Sequence, residues 1–201
     1  MTEMETNAVR EAADVLLGAY EGVAVKPGKG IPHARAVASA LRRAGCSAEV
    51  ELAGLLHDIV EDTGWTVADV RVRFGGPVAA LVHAVTEDDA IVDYRARKRA
   101  LREQIARAGA DAIDIALADK VASVGYALSS GGKLSKRKRG HYEAVVAMGA
   151  RAAHPELALQ VRELLARVDT RDRPPAAGVA RDAGLEVPLS PAGLPTCRPG
   201  A

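Results

Sequence analysis

Aromatic side chains are scarce in this chain: one Trp, one Phe and four Tyr make up 3% of 201 residues. Sheets lean heavily on aromatic and β-branched pairs across strands. A chain that is 48% hydrophobic with so few rings, and rich in Ala, Leu and Val, instead favours helix packed on helix. Cysteine is nearly missing as well. Cys46 and Cys197 stand far apart and outside any metal-type spacing, which argues against a disulfide framework and for a reducing compartment. Neither sign of charge dominates, and a net charge of +1 gives no global basis for binding nucleic acid, so any basic function must be local. No apolar run approaches the roughly 18 residues that a membrane span requires. The acidic opening "MTEMETNAVREAADVL" lacks the basic and apolar regions of a secretory signal. These absences lead us to expect a cytoplasmic protein with neither membrane nor nucleic acid as partner.

What is present is helical periodicity in segment after segment. Residues 7–21 place Val9, Ala13, Leu16 and Tyr20 on one stripe, with Asn7 as a possible cap. The Gly- and Pro-rich "EGVAVKPGKGIP" (21–32) reads as a loop. A second helix is expected over 33–44, stopping near Gly45, and a third from Ser47 to about Asp62. Thr66 is a good cap for a short helix to Phe74, and Pro77 suits the first turn of the next, through Val85. A charged amphipathic helix over 93–109 precedes a strongly apolar one over 110–128. A Gly/Lys-rich loop at 129–140 then leads to helices at about 141–152 and 155–168. From Asp169 onward proline density rises, with six of the ten prolines in the last 28 residues, and an irregular tail is expected. No strand is expected, so the fold class is all-α: a helical domain over 1–168 and a Pro/Gly/Ala-rich tail over 169–201.

One decapeptide breaks this pattern. "GLLHDIVEDT" (54–63) sets His57, Asp58, Glu61 and Asp62 into an apolar helical run. Residues i and i+4 share a helix face, so His57 aligns with Glu61 and Asp58 with Asp62. His57 and Asp58 diverge by about 100°, yet both can still reach one atom lying between them. Buried charges of this kind need a partner, and a bound cation supplies one most economically. Two further ligand candidates come from other helices: His33, at the start of the second, and Asp119, a lone carboxylate in "IALADKVAS". A set of two His and two carboxylates suits Mn²⁺, Fe²⁺, Co²⁺ or Ni²⁺. Such an ion activates water and polarises a phosphoryl oxygen. Glu61 and Asp62, one turn on, are then placed to handle the proton of the attacking water and of the leaving group.

The order H…HD…D resembles the signature of the HD-domain metal-dependent phosphohydrolases. The longer string "GLLHDIVEDTGWTVADVRVRFGGPVAALVHAVTEDD" resembles, element for element, the hydrolase domain of RelA/SpoT-type proteins and the small alarmone hydrolases. "IPHARAVASAL" is similar to the family's first-histidine helix, "RKRALREQ" to its basic helix and "ALADKVASV" to its last metal-ligand segment. The likeness spans roughly residues 8–150. It implies an HD-domain helical bundle in which His33, His57, Asp58 and Asp119 bind a metal, most often Mn²⁺. It implies Glu61 and Asp62 as the catalytic acidic pair and Lys98 and Tyr142 as contacts to a nucleotide. The implied reaction removes the 3′-pyrophosphate from ppGpp or pppGpp.

The chain departs from that family at three points, all in the parts that hold the nucleotide. Ala34 follows the first histidine where the family has Pro. The preceding loop offers Lys26 and Lys29, with no Arg-Lys pair, and Ser123 replaces an Asn four residues after Asp119. Two alternatives therefore stay open: a phosphatase acting on a nucleoside mono- or triphosphate or a dinucleotide 2′-phosphate, and a nucleotide-binding regulator without turnover. The intact Glu61 and Asp62 speak against the regulator. "KLSKRKRG" (133–140) carries five basic residues and reads as a solvated mobile loop, or more sharply as a flap that gathers phosphates. His83 is expected in or near the core, His141 and His154 at the surface or in caps, and Trp65 at a helix junction.

Overall fold

The computed structural model of the chain describes residues 3–172, and among them it forms ten α-helices, one 3-10 turn and no strand. The helices are α1 (Glu3–Ala19), α2 (Ile31–Ala44), α3 (Ala48–Leu56), α4 (Ile59–Asp62) and α5 (Val67–Phe74). They continue with α6 (Gly76–Val85), α7 (Tyr94–Ala108), α8 (Ala110–Ser130), α9 (Lys136–Val146) and α10 (Glu156–Asp172), the 3-10 turn Ala147–Arg151 following α9. None of the described helices is long and apolar enough to cross a membrane.

The bundle is organised around α8, which packs against α2, α3, α6, α7, α9 and α10. Its stretch from Ala112 to Ala118 is buried without a break, so it is apolar nearly all round and sits at the centre. The small side chains found throughout the core let helices approach closely. Gly54 in α3 shows this directly, since a Cβ there would collide with Leu41 of α2. Glu51, also in α3 and buried, is clasped by Arg42 of α2, whose Nε donates to both carboxylate oxygens at 3.0 Å.

Local chemistry sets the boundaries. Gly45, at φ 86°, closes α2 in the left-handed conformation that glycine adopts freely. Thr66 and Asp69 form a reciprocal capping box at the start of α5. Asp93 and Ser135 cap α7 and α9 by accepting from Ala96 N at 2.8 Å and Lys138 N at 3.2 Å.

Four expectations need correction. Helix α1 begins at Glu3, so Asn7 lies inside it and does not cap it. The single helix expected from Ser47 to Asp62 is broken at His57 and Asp58, where Asp58 takes φ −93°, ψ −4°, at the flattened edge of the right-handed helical region. The loop expected over 129–140 is shorter: α9 starts at Lys136 because Ser135 supplies a cap, and most of the basic segment is helical. Helix α10 also runs to Asp172, past the expected end at 168, and the rest of the expected tail lies outside the described residues.

Candidate active site

The break in the α3–α4 segment is what shapes the site. His57 closes α3, and its Nδ1 lies 2.8 Å from the carbonyl oxygen of Gly54. A carbonyl can only accept, so Nδ1 must carry the hydrogen and Nε2 is left for another partner. That Nε2 is buried and has no hydrogen bond. It lies 3.1 Å from Asp58 Oδ1. From α2, His33 Nε2 approaches Asp119 Oδ1 of α8 at 3.0 Å and Asp58 Oδ2 at 3.9 Å. The ligand atoms of His33, His57 and Asp58 all lie within 4.8 Å of one another, and all three residues are buried. Two imidazoles, two carboxylates and an orphaned ring nitrogen among them fit a divalent cation.

Lysine charges now balance the carboxylates. Lys29 Nζ donates to Asp58 Oδ2 at 2.7 Å, and Lys120 pairs with Asp119. Burial favours the neutral acid in both carboxylates, but cations outweigh it. His57 and Lys29 hold Asp58 well below the ordinary range, and Lys120, His33 and Lys29 do the same for Asp119. Burial likewise opposes charge on His57, yet Asp58 raises its pKa, so a proton and a metal compete for Nε2. Ser123 donates from Oγ to Asp119 Oδ1 at 3.2 Å.

Glu61 stands at the rim. Its Oε1 accepts from the backbone N of Glu87 at 2.7 Å. Its side chain is open to solvent but crowded by protein, and this partial burial pushes its pKa up to about 7, a value poised for proton transfer near neutrality. Asp62 points elsewhere: its Oδ2 accepts from Tyr20 OH of α1 at 3.0 Å, and it does not line the cavity.

The cavity itself holds ≈ 300 Å³ and runs from His57, Asp58, Glu61 and Asp119 to a cationic end at Lys98, Lys120, Arg137 and Lys138. Tyr94 and Tyr142 stand among these cations. Arg137 lies over the Tyr94 ring at 4.3 Å and Lys120 over the Tyr142 ring at 5.2 Å. The structure thus brings His33, His57, Asp58, Asp119, Glu61, Lys29, Lys98, Ser123 and Tyr142 to one region, and leaves the exposed Lys26 outside the cavity lining.

Several residues of the site escaped the sequence reading. Glu87 accepts from Arg97 Nε at 2.8 Å and pairs with Lys98, so it tethers the basic helix α7 to the Glu61 rim. Lys120 directly follows Asp119, a position whose charge could have drawn notice in so apolar a helix. His141, expected at the surface, is buried in the cavity wall beside Arg102, 3.0 Å away. Burial and the charges of Lys120, Lys98 and Arg102 push its pKa down to about 3, so it stays neutral. His154, also expected near the surface, pairs with the buried Asp114. His83 is exposed on α6, while Trp65 packs against the core at the α4–α5 junction as expected.

Comparison with known proteins gives a consistent result. The family model described as HD domain matches residues 12–125. The human guanosine-3′,5′-bis(diphosphate) 3′-pyrophosphohydrolase MESH1 is 37% identical over 122 residues, 58% of this chain and 68% of its own. The Drosophila melanogaster MESH1 is 43% identical over 72 residues, 36% of this chain and 40% of its own. The Vibrio cholerae enzyme of the same activity is 36% identical over 104 residues, 51% of this chain, but the match spans only 15% of that longer protein. A solved structure of a metazoan ortholog of SpoT that hydrolyzes ppGpp superposes with TM-score 0.65 at 26% identity, covering 83% of this chain and 96% of its own. With the HD model matched over more than half its length, the chain belongs to the HD-domain family.

Proposed function

We propose that this chain is a metal-dependent phosphohydrolase that removes the 3′-pyrophosphate from guanosine 3′,5′-bis(diphosphate) or its 5′-triphosphate counterpart. The observation that carries this reading is one cavity joining two opposite chemistries: a His/Asp cluster with an orphaned His57 Nε2, and a cationic end with tyrosine rings. The relatives named as 3′-pyrophosphohydrolases support the substrate.

In this reading His33, His57, Asp58 and Asp119 hold a divalent ion, with Mn²⁺ preferred among Mn²⁺, Fe²⁺, Co²⁺ and Ni²⁺. When bound, that ion supplies Lewis-acid polarisation of a phosphoryl oxygen and activation of water. Glu61 takes the proton of the attacking water, since its raised pKa lets it both accept and return a proton near neutral pH. Lys98, Lys120, Arg137 and Lys138 bind the phosphates, and Tyr94 and Tyr142 flank the nucleoside. Lys29, which donates to Asp58 and lines the cavity, would also be within reach of a substrate phosphate. Asp62 acts as a positioning residue, anchoring α4 to α1 through Tyr20 and so fixing the direction of Glu61.

A second reading, a phosphatase acting on another nucleotide, draws support from the nucleotide-holding side. Lys26 stands away from the cavity, and Ser123 is engaged by Asp119. A release assay over a panel of nucleotides, with Mn²⁺ and with chelator, separates the two. Pyrophosphate from ppGpp, lost on chelation, supports the first. Orthophosphate from another nucleotide, with ppGpp inert, supports the second.

A further inference from the structure

We propose that Cys46, Asp114 and His154 form a second metal site, suited to a zinc-like divalent cation and separate from the catalytic cavity. Three elements converge there: the turn between α2 and α3 brings Cys46, the first half of α8 brings Asp114, and the turn before α10 brings His154. Asp114 is wholly buried, in the stretch of α8 that is otherwise apolar from Ala112 to Ala118. Nothing in the proposed hydrolysis uses it. Asp114 precedes Asp119 by five residues, which turns their side chains about 140° apart around α8, so the two sites use different faces of one helix.

The donor geometry is specific. His154 Nδ1 lies 2.7 Å from Asp114 Oδ2, Cys46 Sγ lies 3.3 Å from the same Nδ1, and Cys46 Sγ lies 3.9 Å from Asp114 Oδ2. A triangle with those sides has a point roughly 2.0 Å from all three corners, matching Zn–N and Zn–O bonds of about 2.0–2.1 Å and approaching the 2.3 Å of Zn–S. An ion set slightly off that plane reaches all three donors with little rearrangement. Asp114 Oδ1 keeps its hydrogen bond from the backbone N of His154 at 3.1 Å, the supporting contact that holds a ligating carboxylate in place.

Sulfur, imidazole and carboxylate together select a borderline-soft ion over Mg²⁺ or Ca²⁺. The surroundings also call for a cation. The carboxylates of Asp114, Asp111 and Glu156 all act on Cys46, so the turn carries negative charge around the three donors. On binding, the thiol proton leaves to solvent and the imidazole proton that Nδ1 shares with Asp114 is relocated to Nε2 through solvent, freeing Nδ1 for the ion. Cys46 and His154 are both partly exposed, which gives the ion a way in and leaves a fourth position for water. The ion would fasten the α2–α3 turn and the start of α10 to the central helix.

The test uses the full chain carrying Cys197→Ser, so that Cys46 is the sole thiol, with Co²⁺ as the probe. We expect a thiolate-to-cobalt charge-transfer band that saturates by two equivalents, the catalytic cluster taking the other, is displaced by Zn²⁺, and persists in Asp58→Ala, where it saturates at one. Adding Cys46→Ser or His154→Gln, each with helical circular dichroism retained, should weaken Co²⁺ binding by about tenfold or more, and Cys46→Ser should abolish the band. Absence of the band in the Cys197→Ser protein, its survival in Cys46→Ser, or its loss in Asp58→Ala would overturn the proposal. The catalytic cluster contains no sulfur, so this outcome is independent of the hydrolase reading.

Discussion

Lys29 Nζ donates to Asp58 Oδ2 at 2.7 Å, placing an ammonium where a ligating carboxylate would otherwise face a metal. Burial opposes the charge on Lys29, but Asp119 and Asp58 outweigh it and raise its pKa, so the ammonium persists throughout the physiological range. Lys29→Met removes this internal competitor. We expect the variant to bind Mn²⁺ about threefold to tenfold more tightly, read by electron paramagnetic resonance of free Mn²⁺, while its KM for nucleotide rises. The pair is partly exposed, so the metal-free variant should lose only about 1 kcal/mol of stability in denaturant unfolding.

Glu61→Gln keeps the shape of the rim and removes the proposed base. Metal affinity should be unchanged and kcat should fall by roughly 10²–10⁴-fold. In the metal-free protein the Glu61 carboxyl should titrate near 7 by ¹³C NMR, against an ordinary 4.5. A raised folded-state pKa means that its stabilising contribution is complete below 4.5 and is lost as pH rises through 7. Activity runs the opposite way, rising with pH as the base form appears, and Glu61→Gln should lack that acidic limb. Full activity in this variant would remove Glu61 from the mechanism.

The cationic end makes a different prediction. Arg137→Ala should raise KM by about tenfold with a smaller change in kcat, because the lost contact binds substrate and transition state alike. Its effect should shrink at high salt. A fall in kcat at constant KM would instead place Arg137 at the reacting phosphate.

Tyr20→Phe deletes the hydroxyl that Asp62 accepts and little else. The expected cost is about 1 kcal/mol in denaturant unfolding. If Asp62 works by anchoring α4, kcat should fall together with that of Asp62→Asn, and the double variant should be no worse than either single one. Additive losses would give Asp62 a role of its own.

How much of this was legible in the sequence varies from element to element. The helix starts at Thr66 and the stop at Gly45 were readable because capping depends on residues within four positions. The apolar monotony around Asp119 marked α8 as central for the same local reason. The break at Asp58 was not readable: nothing in "LLHDIV" breaks a helix, and the partners that the Asp58 side chain meets there, Lys29 and His33, come from a distant part of the sequence. Nor was the basic helix α9, where five cations obscured the capping value of Ser135. Glu87 and His141 matter through partners that lie 26 and 39 residues away, Glu61 and Arg102, a separation that periodicity does not reach. The candidate ligand residues stand out in the sequence because their chemistry is odd for their surroundings. Their convergence required the fold.

In the proposed reaction a divalent ion held by His33, His57, Asp58 and Asp119 drives pyrophosphate release. The most direct measurement titrates Mn²⁺ into metal-free protein while following bound metal and pyrophosphate released from ppGpp in the same sample. Both should saturate together, and Asp58→Ala should lose both. Pyrophosphate release from metal-free protein, or from Asp58→Ala with no metal bound, would contradict it.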